Sequence, residues 1–425
     1  MQNSSGGYPP PPPPQGTPSG SWPTAAVVPQ HPYPSAPRRK ARKVGAPLAL
    51  IIIAAVLVTG LVALATAQNM VFFAIGLIPA VLGAGLVIGA YLWIDRWEPE
   101  PPRLLIFAFV WGGGFTVVWA LIIGQILSAV GFLNGPFSSI AIQAPLVEEF
   151  GKGMFLWLML TGLRRKELNT LTDCLVYAGM VGIGFAFVED LLYFTSQHSL
   201  GGAILTIVIR LALGVFAHPL FTSMTAIGVF LSLRQKSAVG RFGCLLLGYL
   251  GAVLLHGLWN GSTALGLQGY LITYGVVMVP VFVGAVLLAR RSRRREGEIV
   301  LAQLPAMVQA RLVAPQEAGW LSSLGSRKLR LQAAKSAGGK DGARQIAQFA
   351  DAVTELAFVR DRLDHGLATP ALLQQHDALV QTIQLERAQV APQLNQLSAQ
   401  SSPVTGAPMQ PTDPLATYNP IPGGP

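Results

Sequence analysis

Long apolar runs dominate the first 290 residues, in place of the alternation of a half-buried strand or the one-sided stripe of a surface helix. The first extends from Val44 to Ala67. Others occupy about 70–94, 104–130, 139–163, 171–195, 202–233, 242–265 and 270–289. Each is long enough to cross a hydrocarbon core of ~30 Å as a helix. The pattern predicts an all-α fold, a polytopic transmembrane helical bundle of about eight helices. Glycines and prolines inside the runs do not argue against this, because spanning helices tolerate them. Beyond residue 296 the pattern changes. Phe349, Val353, Leu356, Val359 and Leu363 recur at helical spacing before Gly366 interrupts them, which predicts a small cytoplasmic helical region over 296–397. Residues 1–43 are rich in Pro, Gly and Ser, with an unbroken run from Pro9 to Pro14, and end in a basic cluster. They read as a disordered, locally polyproline tail. Residues 398–425 read as a second disordered tail, and 44–295 as the transmembrane domain.

Composition sharpens this picture. Hydrophobic residues make up 51% of the 425 and charged residues only 12%, whereas a soluble domain carries about a quarter. The net charge of +10 is gathered in short clusters beside apolar runs, a pattern of membrane topology that argues against a nucleic-acid partner. Lys and Arg follow alternate runs: Arg96 and Arg103, then Arg164, Arg165 and Lys166, then Arg234, Lys236 and Arg241, then Arg290 to Arg295. The intervening connections near Gln68, Asn134, His198 and Gln268 have neither. By the positive-inside rule both termini are expected in the cytoplasm of a multi-pass plasma-membrane protein. Cys174 and Cys244 show no metal or disulfide spacing and read as small buried hydrophobes.

Several ionisable residues interrupt the apolar runs. A charge at the bilayer centre costs about 2.5–3.5 kcal/mol on insertion scales, so such residues usually face a functional cavity. The fourth run carries Glu148, Glu149 and Lys152, the fifth Glu189 and Asp190, the sixth Arg210 and His218, and the seventh His256 with Asn260. Residues three and four apart share a helix face, so Lys152 can reach both Glu148 and Glu149, leaving one carboxylate for chemistry. His256 and Asn260 likewise present an imidazole and an amide together. Runs one, two, three and eight look like lipid-facing packing. Arg210 reads as structural support that could neutralise a carboxylate, and Asp190 as secondary to Glu189.

Glu-Glu-x-x-Lys at 148–152, Phe-x-x-x-Glu at 185–189, His218, and His-x-x-x-Asn at 256–260 together resemble the PrsW family of intramembrane proteases, distant relatives of the CAAX prenyl endopeptidases. The segment Asp95-Arg-Trp-Glu-Pro-Glu-Pro resembles that family too, and the likeness spans about residues 90–265. It implies an intramembrane endopeptidase acting on a membrane protein, such as an anti-sigma-factor-like regulator. Two mechanisms fit. In one, Glu189, His218 and His256 bind Zn²⁺ and Glu148 or Glu149 is the base. In the other, a glutamate activates water without metal while His256 and Asn260 donate to the oxyanion. Family members often carry Asp where this chain has Asn260, which favours hydrogen bonding there over metal ligation. A proton-coupled transporter and a non-catalytic membrane scaffold are the alternatives from other classes. No inverted repeat supports the first, and the second leaves the buried charges unexplained.

Overall fold

The computed structural model describes residues 69–400 and scattered positions between 52 and 67. The expected Pro-rich tail over 1–43, most of the first apolar run and residues 401–425 lie outside the described residues. All regular structure among the described residues is helical. In chain order the helices are α1 (Met70–Ile94), α2 (Pro102–Val110), α3 (Val117–Ala129), α4 (Ala144–Met159), α5 (Leu171–Thr195), α6 (Leu200–Ala212), α7 (Ala217–Leu233) and α8 (Ala238–Ser262). Then follow α9 (Gly266–Thr273), α10 (Val279–Gln309), α11 (Pro315–Leu321), α12 (Leu324–Asp364) and α13 (Pro370–Gln400). Five helical stretches among the described residues are long and apolar enough to cross a membrane, with α6–α7 in one of them and α8–α10 in another. The charged helix α4, 16 residues long, is not among them.

Local sequence explains where several helices begin. The Thr170 side chain accepts from the Asp173 N–H at 3.2 Å and Asp173 returns to the Thr170 N–H at 2.8 Å, a capping box that starts α5. Ser199 and Ser237 accept from the Gly202 and Gly240 N–H groups to start α6 and α8. The expected helix over 202–233 is instead two, broken at Leu213–Phe216. Pro219 accounts for the break, since its ring has no N–H and would clash with the carbonyl four residues back if the helix continued, whereas it is tolerated in a first turn. His218 therefore sits at the start of α7, and Arg210 belongs to a different helix.

Between Asp173 near its start and Glu189 and Asp190 near its end, helix α5 is apolar on all sides, and it is the buried centre of the bundle. It packs against α1, α2 and α7, while large side chains such as Leu82, Leu86, Leu247 and Leu254 on the outer helices stay exposed, as a lipid-facing surface requires. The third run does more than face lipid. It opens into a π-helical turn, Trp111–Thr116, whose Gly112 and Gly113 lie directly on α5. A Cβ on Gly112 would stand 1.9 Å from the Val181 carbonyl oxygen, and one on Gly184 2.0 Å from that of Phe109. Neither backbone can retreat, so Gly184→Ala is expected to destabilise the protein by about 1–3 kcal/mol, the usual cost of overpacking. Thermal unfolding in detergent would measure it, and an unchanged midpoint would refute the contact.

A single helix, α10, runs straight through the expected domain boundary at 295/296. The C-terminal helices form their own core, in which Phe349, Val353, Leu356 and Val359 are buried, with Leu363 packed against it. Trp97, from the segment after α1, belongs to the same core, which ties the C-terminal region to the end of a candidate spanning helix.

Candidate active site

Helix α4 carries Glu148, Glu149 and Lys152 within about one turn. Pro145, in its first turn, is accommodated by a π-helical turn at Ser139–Gln143. Glu149 and Lys152 are wholly buried. Isolated charges would be very costly there, and only mutual pairing with further hydrogen bonds makes the arrangement stable. Lys152 Nζ donates to Glu149 Oε1 at 2.8 Å, approaches His218 Nδ1 at 2.9 Å, and lies 3.8 Å from the centre of the Phe185 ring.

Glu149 collects donors from three helices. Besides Lys152, its Oε1 faces His256 Nδ1 at 2.9 Å, and its Oε2 accepts from Thr222 Oγ1 at 3.4 Å. Because a carboxylate can only accept, the His256 proton must sit on Nδ1, which leaves a lone pair on Nε2. That nitrogen accepts from Asn260 Nδ2 at 3.2 Å, while Asn260 also donates to the Ile140 carbonyl at 3.2 Å. The His256 ring is held flat against Phe221, with centroids 4.7 Å apart.

Glu148 is different. Its Oε2 is buried and has no hydrogen-bond partner. It lies 3.8 Å from both Lys152 Nζ and His256 Nε2, beyond hydrogen-bond reach. Of two adjacent glutamates, one is fully engaged and the other keeps an oxygen available.

A second set of charges adjoins the first. Arg210, from α6, pairs through Nη2 with Glu189 and through Nε with Asp190, and stacks on Tyr193 at 4.2 Å. Glu189 Oε2 also bonds His218 Nε2 at 2.8 Å. His218 thus joins the two sets, with Lys152 on one ring nitrogen and Glu189 on the other. Gly182 allows this placement, since a Cβ there would come 2.7 Å from the Pro219 backbone nitrogen.

All seven sequence-nominated residues, Glu148, Glu149, Lys152, Glu189, His218, His256 and Asn260, fall in this one connected cluster. The ligand grouping differs from the expected Glu189, His218 and His256. One ligand atom each from Glu148, His218 and His256 lie within 4.8 Å of one another. Glu189 stands aside because the Arg210 guanidinium claims it. Asp190, set aside on sequence grounds, is the other half of that pairing. Sequence reasoning also missed Thr222, Phe221 and three donors that fix the α4 backbone: Trp111 Nε1 to the Gly151 carbonyl at 3.0 Å, Trp119 Nε1 to that of Val147 at 3.1 Å, and the Tyr249 hydroxyl to that of Leu146 at 2.9 Å. Aromatics with one polar atom inside apolar runs were the available signal.

Two imidazoles and a carboxylate are a zinc-type donor set. The unpartnered Glu148 oxygen and the His256 Nε2 lone pair, oriented by a carboxylate behind its ring, suit a cation. To bind it, His218 would exchange one of its present partners and His256 its bond from Asn260.

A second acidic group lies outside the spanning segments, between α1 and α2. The Glu100 N–H donates to Asp95 Oδ2 at 2.8 Å, the Tyr177 hydroxyl donates to a Glu100 carboxylate oxygen, and Asn169 Nδ2 reaches Glu98 at 3.4 Å. Burial pushes Asp95 up to about 7, and raises Glu98 and Glu100 well above the ordinary carboxylate range, helped by the charge of Asp173. The folded protein therefore holds protons that the unfolded chain has already released between about pH 4 and pH 7. Stability is expected to fall as pH rises through that window, and Asp95→Asn to flatten the fall. Unfolding midpoints at pH 5 and pH 8 test this. Equal slopes in both proteins would contradict it.

Residues 100–285 match the family described as PrsW family intramembrane metalloprotease. The chain is 26% identical over 185 residues to protease PrsW of Geobacillus kaustophilus, covering 43% of this chain and 78% of that protein. It is 24% identical over 228 residues to protease PrsW of Oceanobacillus iheyensis, covering 53% of this chain and 99% of the relative. No solved structure matches.

Proposed function

Given that the chain belongs, through residues 100–285, to the PrsW family of intramembrane proteases, we propose that it hydrolyses peptide bonds of membrane-associated proteins with Glu148 as the reactive carboxylate. The observation that carries this reading is the Glu148 Oε2 atom, buried in the bundle, without a hydrogen bond, and 3.8 Å from His256 Nε2. A carboxylate held this way can take a proton from a water molecule as its oxygen attacks the scissile carbonyl carbon. It then returns that proton to the amide nitrogen as the C–N bond breaks, so one water is consumed and two chain ends are released.

The remaining residues position this step. Glu149 holds the His256 ring in one tautomer, and Lys152 balances Glu149. Asn260 orients His256 from the other side; both of its amide hydrogens are committed, which favours that role over an oxyanion donor. Arg210 holds Glu189 against His218. His218 and His256 would hold a zinc ion next to Glu148, which stays the base; when bound, the ion would make water more acidic and polarise the carbonyl. An apolar cavity of about 250 Å³ beside Ala217, lined by Phe216, Tyr274, Met278 and Phe282 among others, suits an apolar substrate side chain.

The substrate class that fits is a membrane-anchored regulator of the anti-sigma-factor type, cut in a multi-pass plasma-membrane enzyme with both termini cytoplasmic. Comparing membrane-protein fragments in cells with the wild-type or Glu148→Gln enzyme tests this, and identical fragment sets would refute it. Metal dependence is tested separately. Dialysis of the purified protein against a zinc chelator is expected to abolish cleavage, and stoichiometric zinc to restore it. Full activity in metal-free protein would leave Glu148 as a metal-independent base.

A further inference from the structure

A cavity of about 590 Å³, lined by none of the residues of the catalytic cluster, lies where the segment after α1 meets α11 and α12. Six of its lining residues are Lys or Arg and one, Asp351, is acidic. Two tryptophans, Trp97 and Trp320, supply its apolar wall. The basic residues are not merely a solvated face. Arg327 is only 5% exposed, yet it lines the cavity, and its bonding capacity is incompletely used. Its Nε donates to the Leu321 carbonyl at 3.0 Å and its guanidinium stacks on Trp97 at 4.8 Å, but Nη2 has no hydrogen-bond partner. Burial pushes this guanidinium down to about 10 against the pull of Asp351, as expected of a cation short of compensation.

Helix α12 is shaped around this space. It breaks at Gly339, where φ is +68°, a value that L side chains rarely adopt, and the bend brings Lys335 and Lys340, on either side of it, to the same cavity. A buried arginine with a spare donor, flexible lysines at the rim and flat apolar walls are what a phosphate on an apolar body requires.

We propose that this cavity binds the phosphate group of an anionic amphiphile, with Arg327 at its base and Lys335 and Lys340 at its mouth. The setting favours a membrane phospholipid as the source. Arg96 and Trp97 follow the end of candidate spanning helix α1 by two and three residues. A neighbouring cavity of about 490 Å³ shares Trp97 and is lined by Trp93, Arg290 and Arg293, with Arg293 stacked on Trp93 at 4.5 Å. Basic side chains and tryptophans at the end of an apolar helix sit at headgroup depth. A soluble phosphate compound has the same recognition chemistry and is separated by experiment.

The full chain in an uncharged detergent is titrated calorimetrically with dihexanoyl phosphatidylglycerol, dihexanoyl phosphatidylcholine and inorganic phosphate. Saturable binding of about one phosphatidylglycerol is expected, with phosphatidylcholine at least about tenfold weaker. K335E/K340E, both on the exposed rim, is expected to weaken it about tenfold, as is Arg327→Gln, while R241Q in the first turn of α8 leaves it unchanged. Displacement of phosphatidylglycerol by equimolar inorganic phosphate would support the phosphate site and make a soluble compound its source. Absence of saturable binding by both, or equal weakening by R241Q and K335E/K340E, would overturn the proposal.

Discussion

Glu148→Gln is expected to lower kcat for a membrane substrate by about 10²–10⁴-fold, the contribution of a positioned general base, with KM little changed. The substitution keeps the shape of the side chain and removes only its ability to take a proton. Glu148 Oε2 makes no hydrogen bond and its charged neighbours stand 3.8 Å away, so the unfolding midpoint is expected to stay near wild type. Glu149→Gln provides the contrast. It removes the carboxylate that receives Lys152, His256 and Thr222, so both activity and midpoint are expected to drop. Activity in Glu148→Gln within threefold of wild type would exclude it as the base, and a midpoint loss matching that of Glu149→Gln would make it structural.

The second large effect concerns the ion pair beneath the site. Lys152→Met removes the only cation within hydrogen-bond distance of the wholly buried Glu149 among the described residues. Breaking one side of a buried pair leaves the other charge uncompensated, at a cost of about 3–5 kcal/mol. The double variant Glu149→Gln, Lys152→Met leaves no such charge, so it is expected to recover most of that loss while staying inactive. Denaturant titration of the three variants in micelles measures the coupling. A double variant as unstable as Lys152→Met would show that lost packing, not lost charge balance, is responsible.

Much of this protein is legible in one dimension. The apolar runs mark helices because a membrane leaves no other way to satisfy backbone N–H and C=O groups, and Thr170, Ser199 and Ser237 mark helix starts through bonds made within three residues. The buried charges mark the functional region because their cost in an apolar span is independent of fold. Other features escaped. The break before α7 was hidden because Pro219 sits in an otherwise continuous apolar run, where proline is also compatible with an unbroken, kinked helix. The third run reads as lipid-facing although its three consecutive glycines permit close helix approach, because local spacing does not say which helix they meet.

The sequence by itself determined which side chains could do chemistry and that helices would carry them, since those are properties of residue type and local spacing. The division of labour was decided by tertiary structure alone. Glu148 and Glu149 are both within one helical turn of Lys152, and spacing treats them alike. Successive residues point about 100° apart around a helix of 3.6 residues per turn, so packing α4 against α7 and α8 aims one carboxylate at three donors and leaves an oxygen of the other unbonded. The same holds for Glu189, whose role turns on Arg210, 21 residues away on another helix. Local spacing carries no information about that distance, because only the packing of α5 against α6 closes it.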